Sequence, residues 1–139
     1  MTIPVQVDWR EDSTATVLAR VTARNGSGSA TGVAGEGNWL QIADVSSITM
    51  NTFDVDSATP DTVVDTAALT VASVILDSPV TATTIWTKDT TGYNFIHDLS
   101  AGYFPTGNRR YDVEYIFTLA GGEVFHVIFT GQTVPVRSS

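Results

Sequence analysis

Residues 109–136, RRYDVEYIFTLAGGEVFHVIFTGQTVPV, decide the fold. Tyr111, Val113, Tyr115, Phe117 and Leu119 alternate with Asp112, Glu114, Ile116 and Thr118. Beyond them, Phe125, Val127 and Phe129 alternate with Val124, His126 and Ile128. A period of two is that of half-buried strands. Loop length sets the register of the pair. A two-residue Gly121-Gly122 loop would set Phe117 against His126 and Glu114 against Phe129. A three-residue loop, Ala120 to Gly122, sets Phe117 against Phe125, Tyr115 against Val127 and Val113 against Phe129. Each good cross-strand pair is worth roughly 0.2–1 kcal/mol, so three aligned apolar pairs favour the longer loop. Its last position wants a left-handed residue, which Gly122 supplies without steric cost.

On the opposite face the same register pairs Ile116 with His126, Glu114 with Ile128 and Thr118 with Val124. This face is too apolar to be fully solvated and too polar to be a second core. A neighbouring subunit or a long loop is expected to cover it, with scattered surface apolar residues as the bland alternative. Ile116, Val124, His126 and Ile128 are therefore candidate interface residues.

With 139 residues the chain is one domain's worth, long enough to bury about two-thirds of its unfolded surface. A hydrophobic content of 42% with 16% charged residues is that of a globular protein. The formal net charge of −8 comes from 15 acidic and 7 basic residues, which argues against nucleic acid and anionic membrane as partners. No apolar run approaches the ~20 residues of a spanning helix, and no charged-then-apolar signal peptide opens the sequence. The absence of cysteine removes disulfides, thiolate nucleophiles and Cys-ligated zinc, so packing must hold the fold.

Residues 1–12 read as an N-terminal arm or edge strand, and 13–139 as a single β-sandwich domain. Val5, Val7 and Trp9 alternate, and Pro4 limits this segment to a sheet edge or to no sheet. They join the candidate interface. Thr14 to Arg24 reads as a strand with Val17, Ala19, Val21 and Ala23 on one face. Asn25 to Asn38 (NGSGSATGVAGEGN) is a long Gly-rich loop. Its glycines miss G-x-G-x-x-G by one position, and no P-loop lysine or G-x-S-x-G elbow accompanies them. Trp39 to Val55 alternates at Leu40 and Ile42 and again at Ile48 and Met50, with a break or bulge at Asp44 to Ser47. Ser57 to Asp65 reads as a loop. Leu69 to Leu76, apolar on both faces, reads as a central strand that ends at Asp77-Ser78-Pro79; Thr, Val and Ile weigh against a helix there. Tyr93 to Leu99 is the next strand, with Tyr93, Phe95, His97 and Leu99 on one face. Tyr103 and Phe104 are expected to fold under as a plug. Seven or eight short strands at this spacing make an all-β sandwich.

Leu99…Phe104-Pro105-Thr106-Gly107…Tyr111-x-Val113-x-Tyr115-x-Phe117, followed by Gly121-Gly122, resembles the last strands of immunoglobulin-like modules. Asp89-x-x-Gly92-Tyr93-x-Phe95 also resembles the immunoglobulin D-x-G-x-Y-x-C run, with the glycine displaced by one and Phe95 in place of the cysteine. The two cues compete for the tyrosine-corner role and leave the strands unlettered. Together with Trp86, this C-terminal third is similar to small immunoglobulin-like proteins of tailed-phage particles. The resemblance implies an immunoglobulin-like antiparallel β-sandwich of about seven to eight strands. It also implies a non-enzymatic structural protein of a virion assembled in the host cytoplasm, most directly a capsid decoration (cement) protein. Its partners would be capsid or other virion proteins and further copies of itself, docked through the N-terminal arm and loops, with no nucleic acid, membrane or cofactor. A carbohydrate-binding or host-adhesion module of a tail or baseplate is the alternative, with Trp9, Trp39 and Trp86 as a sugar platform; fold analogy alone does not choose.

Catalytic and metal constellations are thin. His97 and His126, the two histidines, can pair with Asp98, Asp112 or Glu114. With no H-x-H or H-x-x-x-H spacing, a transition-metal site is not expected. Asp54, Asp56, Asp61 and Asp65 lie near one loop without the D-x-D-x-D-G pattern of calcium sites, and read as a solvated acidic loop. Nothing singles out two of the 11 Asp and 4 Glu as a glycosidase pair.

Overall fold

The computed structural model describes residues 2–6, 9–10, 14–23, 28, 37–81 and 92–134, with the backbone alone for 2–6 and 9–10. The strands are β1 (Thr2–Gln6), β2 (Trp9–Arg10), β3 (Ala15–Ala23), β4 (Asn38–Trp39), β5 (Val45–Asp54), β6 (Val63–Leu69), β7 (Ile75–Val80), β8 (Tyr93–Leu99), β9 (Arg110–Leu119) and β10 (Val124–Val134). One helical turn, α1 (Val71–Val74), lies between β6 and β7. Two sheets result. One has the order β1-β3-β8-β7, with β4 also on β3; the other runs β2-β10-β9-β5-β6.

This is an immunoglobulin-like β-sandwich. The first order is that of strands A-B-E-D, and β10-β9-β5 is G-F-C, with β6 as one extra edge strand of the variable-domain kind. The N-terminal segment joins both sheets: β1 pairs antiparallel with β3, and β2 pairs parallel with β10. Pro4, opposite Ala19, sits in an edge strand, where proline is tolerated.

The core lies between the sheets. Val17, Ala19 and Val21 of β3 and Phe95 and Leu99 of β8 face Ile48 and Met50 of β5, Val113, Tyr115 and Phe117 of β9, and Val127 and Phe129 of β10. Phe95 stands edge-on to Tyr115 at 5.0 Å and to Phe117 at 5.6 Å, and Tyr115 edge-on to Phe129 at 5.8 Å. This geometry suits the ring quadrupoles and adds about 0.5–1.5 kcal/mol per pair beyond burial. Phe104 is fully buried beneath the β8–β9 connection, as the plug reading expects.

The β9–β10 hairpin has the three-residue loop. Phe117 pairs with Phe125, Tyr115 with Val127 and Val113 with Phe129. Leu119 N–H donates to the Glu123 carbonyl at 2.8 Å, and Gly122 takes φ +92°.

The structure settles the rival tyrosine cues in favour of Tyr111, at the start of β9. Its hydroxyl accepts the Thr106 N–H at 3.1 Å and reaches back to the Thr106 carbonyl at 3.4 Å. That is a tyrosine corner, and Val113 stands two residues on, where immunoglobulins place the second cysteine. Thr133 of β10 reinforces it, donating its hydroxyl to the same Thr106 carbonyl at 2.7 Å.

Three expectations are corrected. Leu69 to Leu76 is not one strand: Leu69 ends β6, α1 makes a turn, and Ile75 opens β7. The chain changes sheets here, which a straight strand cannot do. Its apolar residues are spent lining the sandwich rim, where Val74 and Ile75 are buried. Asp77-Ser78-Pro79 does not end the run but continues β7, an edge strand where proline is tolerated. Tyr93 leaves the Phe95 face and packs outside that sheet with Leu18, Leu76, Val80 and Ile96. Smaller shifts accompany these. The break at Asp44 to Ser47 is a 3-10 turn at Ile42–Asp44 followed by a bulge between Val45 and Ser47, and β6 already begins at Val63. Most of the Gly-rich loop, Arg24, Val7, Trp86 and Asp89 lie outside the described residues.

Asn94 replaces Tyr93 as the inward residue. Fully buried, its Oδ1 accepts the Val21 N–H at 2.7 Å, and its Nδ2 donates to the carbonyls of Val21 at 3.0 Å and Leu40 at 2.9 Å. The side chain thus completes the ladder where β8 parts from β3.

Candidate docking surface

The outward face of β10, β9, β5 and β6 is built by cross-strand rows. Val124 lies beside Thr118 and Ser47. His126 lies beside Ile116, Thr49 and Ala68; Ile128 beside Glu114, Asn51 and Thr66; and Thr130 beside Asp112 and Phe53. Val124 and Ile128, on the stretch of β10 that pairs only with β9, are 55% and 53% exposed. Ile116 is half-buried between its neighbours, so it contributes less apolar surface than the alternation alone predicts. Val63 and Val64 at the start of β6 extend the exposed apolar surface to the sheet edge.

Polar groups interleave with these residues. His126 Nδ1 lies 3.1 Å from Glu114 Oε2, so the outward histidine does find a carboxylate. Thr130 donates its hydroxyl to Asp112 Oδ1 at 2.7 Å, and Thr66 donates to Asn51 Oδ1 at 2.7 Å. These bonds tie the rows together.

At one end the β5–β6 loop folds over the face. The Asp54 carbonyl accepts the Ser57 N–H at 3.2 Å and its carboxylate accepts the Asp56 N–H at 3.2 Å. The loop's acids are only partly solvated: Asp54 pairs with Arg109 at 3.3 Å and Asp56 with Arg110 at 3.6 Å. Asp65 caps the neighbouring Thr66 N–H at 2.8 Å. Between loop and sheet is an open cleft of about 250 Å³ lined by Phe53, Val55, Pro60, Asp61, Asp112, Glu114 and Ile128.

No family model, curated protein or solved structure matches this chain.

Two other candidates, His97 and Trp39, are engaged within the fold. His97 Nδ1 is 2.8 Å from the Tyr115 hydroxyl, with the rings edge-on at 5.6 Å. Burial lowers its pKa from the ordinary 6.5, against a smaller raising effect of Asp98, and so favours the neutral ring. Asp98 instead accepts the Thr16 hydroxyl at 2.6 Å. Burial, with Tyr103 adding to it, pushes the Tyr115 hydroxyl above its usual range. Among the described residues no three His, Cys, Asp or Glu side chains gather as a metal site. Trp39 is half-buried, donates its indole N–H to the Asp77 carbonyl at 2.7 Å and leaves no room for a side chain at Gly28. The side chains of Val5 and Trp9 lie outside what is described. Of the seven interface candidates, the structure brings Ile116, Val124, His126 and Ile128 onto one face. Sequence reasoning missed Phe53, which the β5–β9 pairing sets beside Asp112, and read Asp61 as part of a solvated acidic loop, whereas it lines this cleft.

Proposed function

We propose that this chain is a non-enzymatic structural module of a tailed-phage particle, a capsid decoration protein that docks through the outward face of β10, β9, β5 and β6. The carrying observation is the pair Val124 and Ile128, each about half exposed on the outward face of β10. Exposed apolar side chains set among polar groups on one sheet face support reading it as an interaction face. Burying the exposed part of both side chains contributes about 2 kcal/mol, a useful fraction of a docking energy. The virion assignment rests on the resemblance of Tyr93–Val136 to immunoglobulin-like phage proteins. Further copies of the chain on the same shell give a homo-oligomeric array.

Particles released by the host that carries this gene, banded by density and probed with antibody to the chain, test the assignment. The chain should band with intact particles at many copies each. Recovery only as free protein at the top of the gradient refutes it.

A further inference from the structure

We propose that the cleft between the β5–β6 loop and the β9–β10 face receives an arginine side chain from the protein on which this face docks. The inference rests on the docking reading and names the chemistry of the partner. Four apolar residues line the cleft, Val55 and Pro60 from the loop and Phe53 and Ile128 from the sheet. Three carboxylates, Asp61, Asp112 and Glu114, open into the same space. Phe53 lies directly across from Asp112, and Glu114 directly across from Ile128, so acid and apolar groups alternate around one volume.

Charge points to the occupant. Arg109 and Arg110 are taken by Asp54 and Asp56, and His126 by Glu114. Among the described residues Asp61 and Asp112 have no basic partner. Among the described residues the cleft is lined by three acids and no basic group, and the chain's net charge is −8, which disfavours a second copy of the chain as the occupant. At about 250 Å³ the cleft falls just below the ~300–1,000 Å³ of drug-sized pockets, so one long side chain suits it better than a whole small molecule. Arginine fits better than lysine. Its guanidinium is planar and weakly hydrated, stacks on an aromatic ring such as Phe53, and offers forked donors to carboxylates on two sides.

The test titrates n-butylguanidinium into the full-length chain and follows backbone amide resonances. Saturable shifts should appear at Phe53, Val55, Asp112 and Ile128, weaken as salt rises, and exceed those given by n-butylammonium. The variant Asp61→Asn/Asp112→Asn, which keeps a side-chain acceptor for Thr130, should bind roughly fivefold more weakly. Absence of saturable shifts, or equal affinity in that variant, overturns the proposal. Incorporation into particles separates this inference from the docking reading. If Val124→Asp, outside the cleft, blocks incorporation while Asp61→Asn/Asp112→Asn does not, only the arginine cleft fails. If neither variant affects incorporation, the docking face fails with it.

Discussion

Ile128 stands directly across from Glu114 on the neighbouring strand, with both side chains directed away from the core. An aliphatic residue over half exposed beside a carboxylate stabilises nothing inside the sandwich. The same strand places Val127 and Phe129 in the core, so the alternation itself commits Ile128 to the outside.

Asn94 is the buried polar residue on which the ladder at the end of β8 depends. Asn94→Leu leaves the Val21 N–H and the Leu40 carbonyl without their side-chain partner in the interior. Unmade buried bonds of this kind cost about 1–3 kcal/mol each. The urea midpoint should fall by about 1–2 M at an unchanged slope; an unchanged midpoint would show that water reaches these groups.

Tyr111→Phe keeps the ring edge-on to Phe104, at 5.3 Å, and removes only the corner hydroxyl. A loss of about 1 kcal/mol is expected in chemical denaturation. Tyr93→Phe removes a hydroxyl from the other tyrosine cue and makes no comparable test of the corner. If Tyr111→Phe costs nothing, the corner assignment is decorative.

His97 makes stability pH-dependent. Its folded pKa lies below the ordinary 6.5 because burial penalises the charged ring. The unfolded chain therefore binds more protons in this window, and stability rises with pH. The contribution is full above about 6.5, is lost as pH falls through the lower folded value, and then levels off. Denaturation midpoints at pH 7.5 and 5.5 should separate for the native sequence and approach each other for His97→Gln. Equal separation in both would assign the effect to other groups.

The hairpin was legible because its alternation is strict and its loop short, which leaves one register that aligns the apolar residues. Leu69 to Leu76 was not legible, since apolar residues at a sheet-to-sheet crossing are buried whatever their local conformation. Tyr93 and Tyr111 show the same limit. Tyr93 directly follows Gly92 and Tyr111 stands four residues after Gly107, each before alternating apolar residues, and the strand order tells E from F. The docking face was half legible. Its β9–β10 rows follow from local register, whereas Phe53 arrives through the long-range β5–β9 pairing.

The double variant Val124→Asp/Ile128→Asp tests the central claim most directly. Both side chains are exposed, so the variant should unfold at the same denaturant concentration as the native chain, within about 0.5 kcal/mol. Its occupancy on particles, measured in competition with the native chain, should drop at least about tenfold, from lost burial and two charges placed in the contact. A stably folded double variant that occupies particles as well as the native chain would contradict the account.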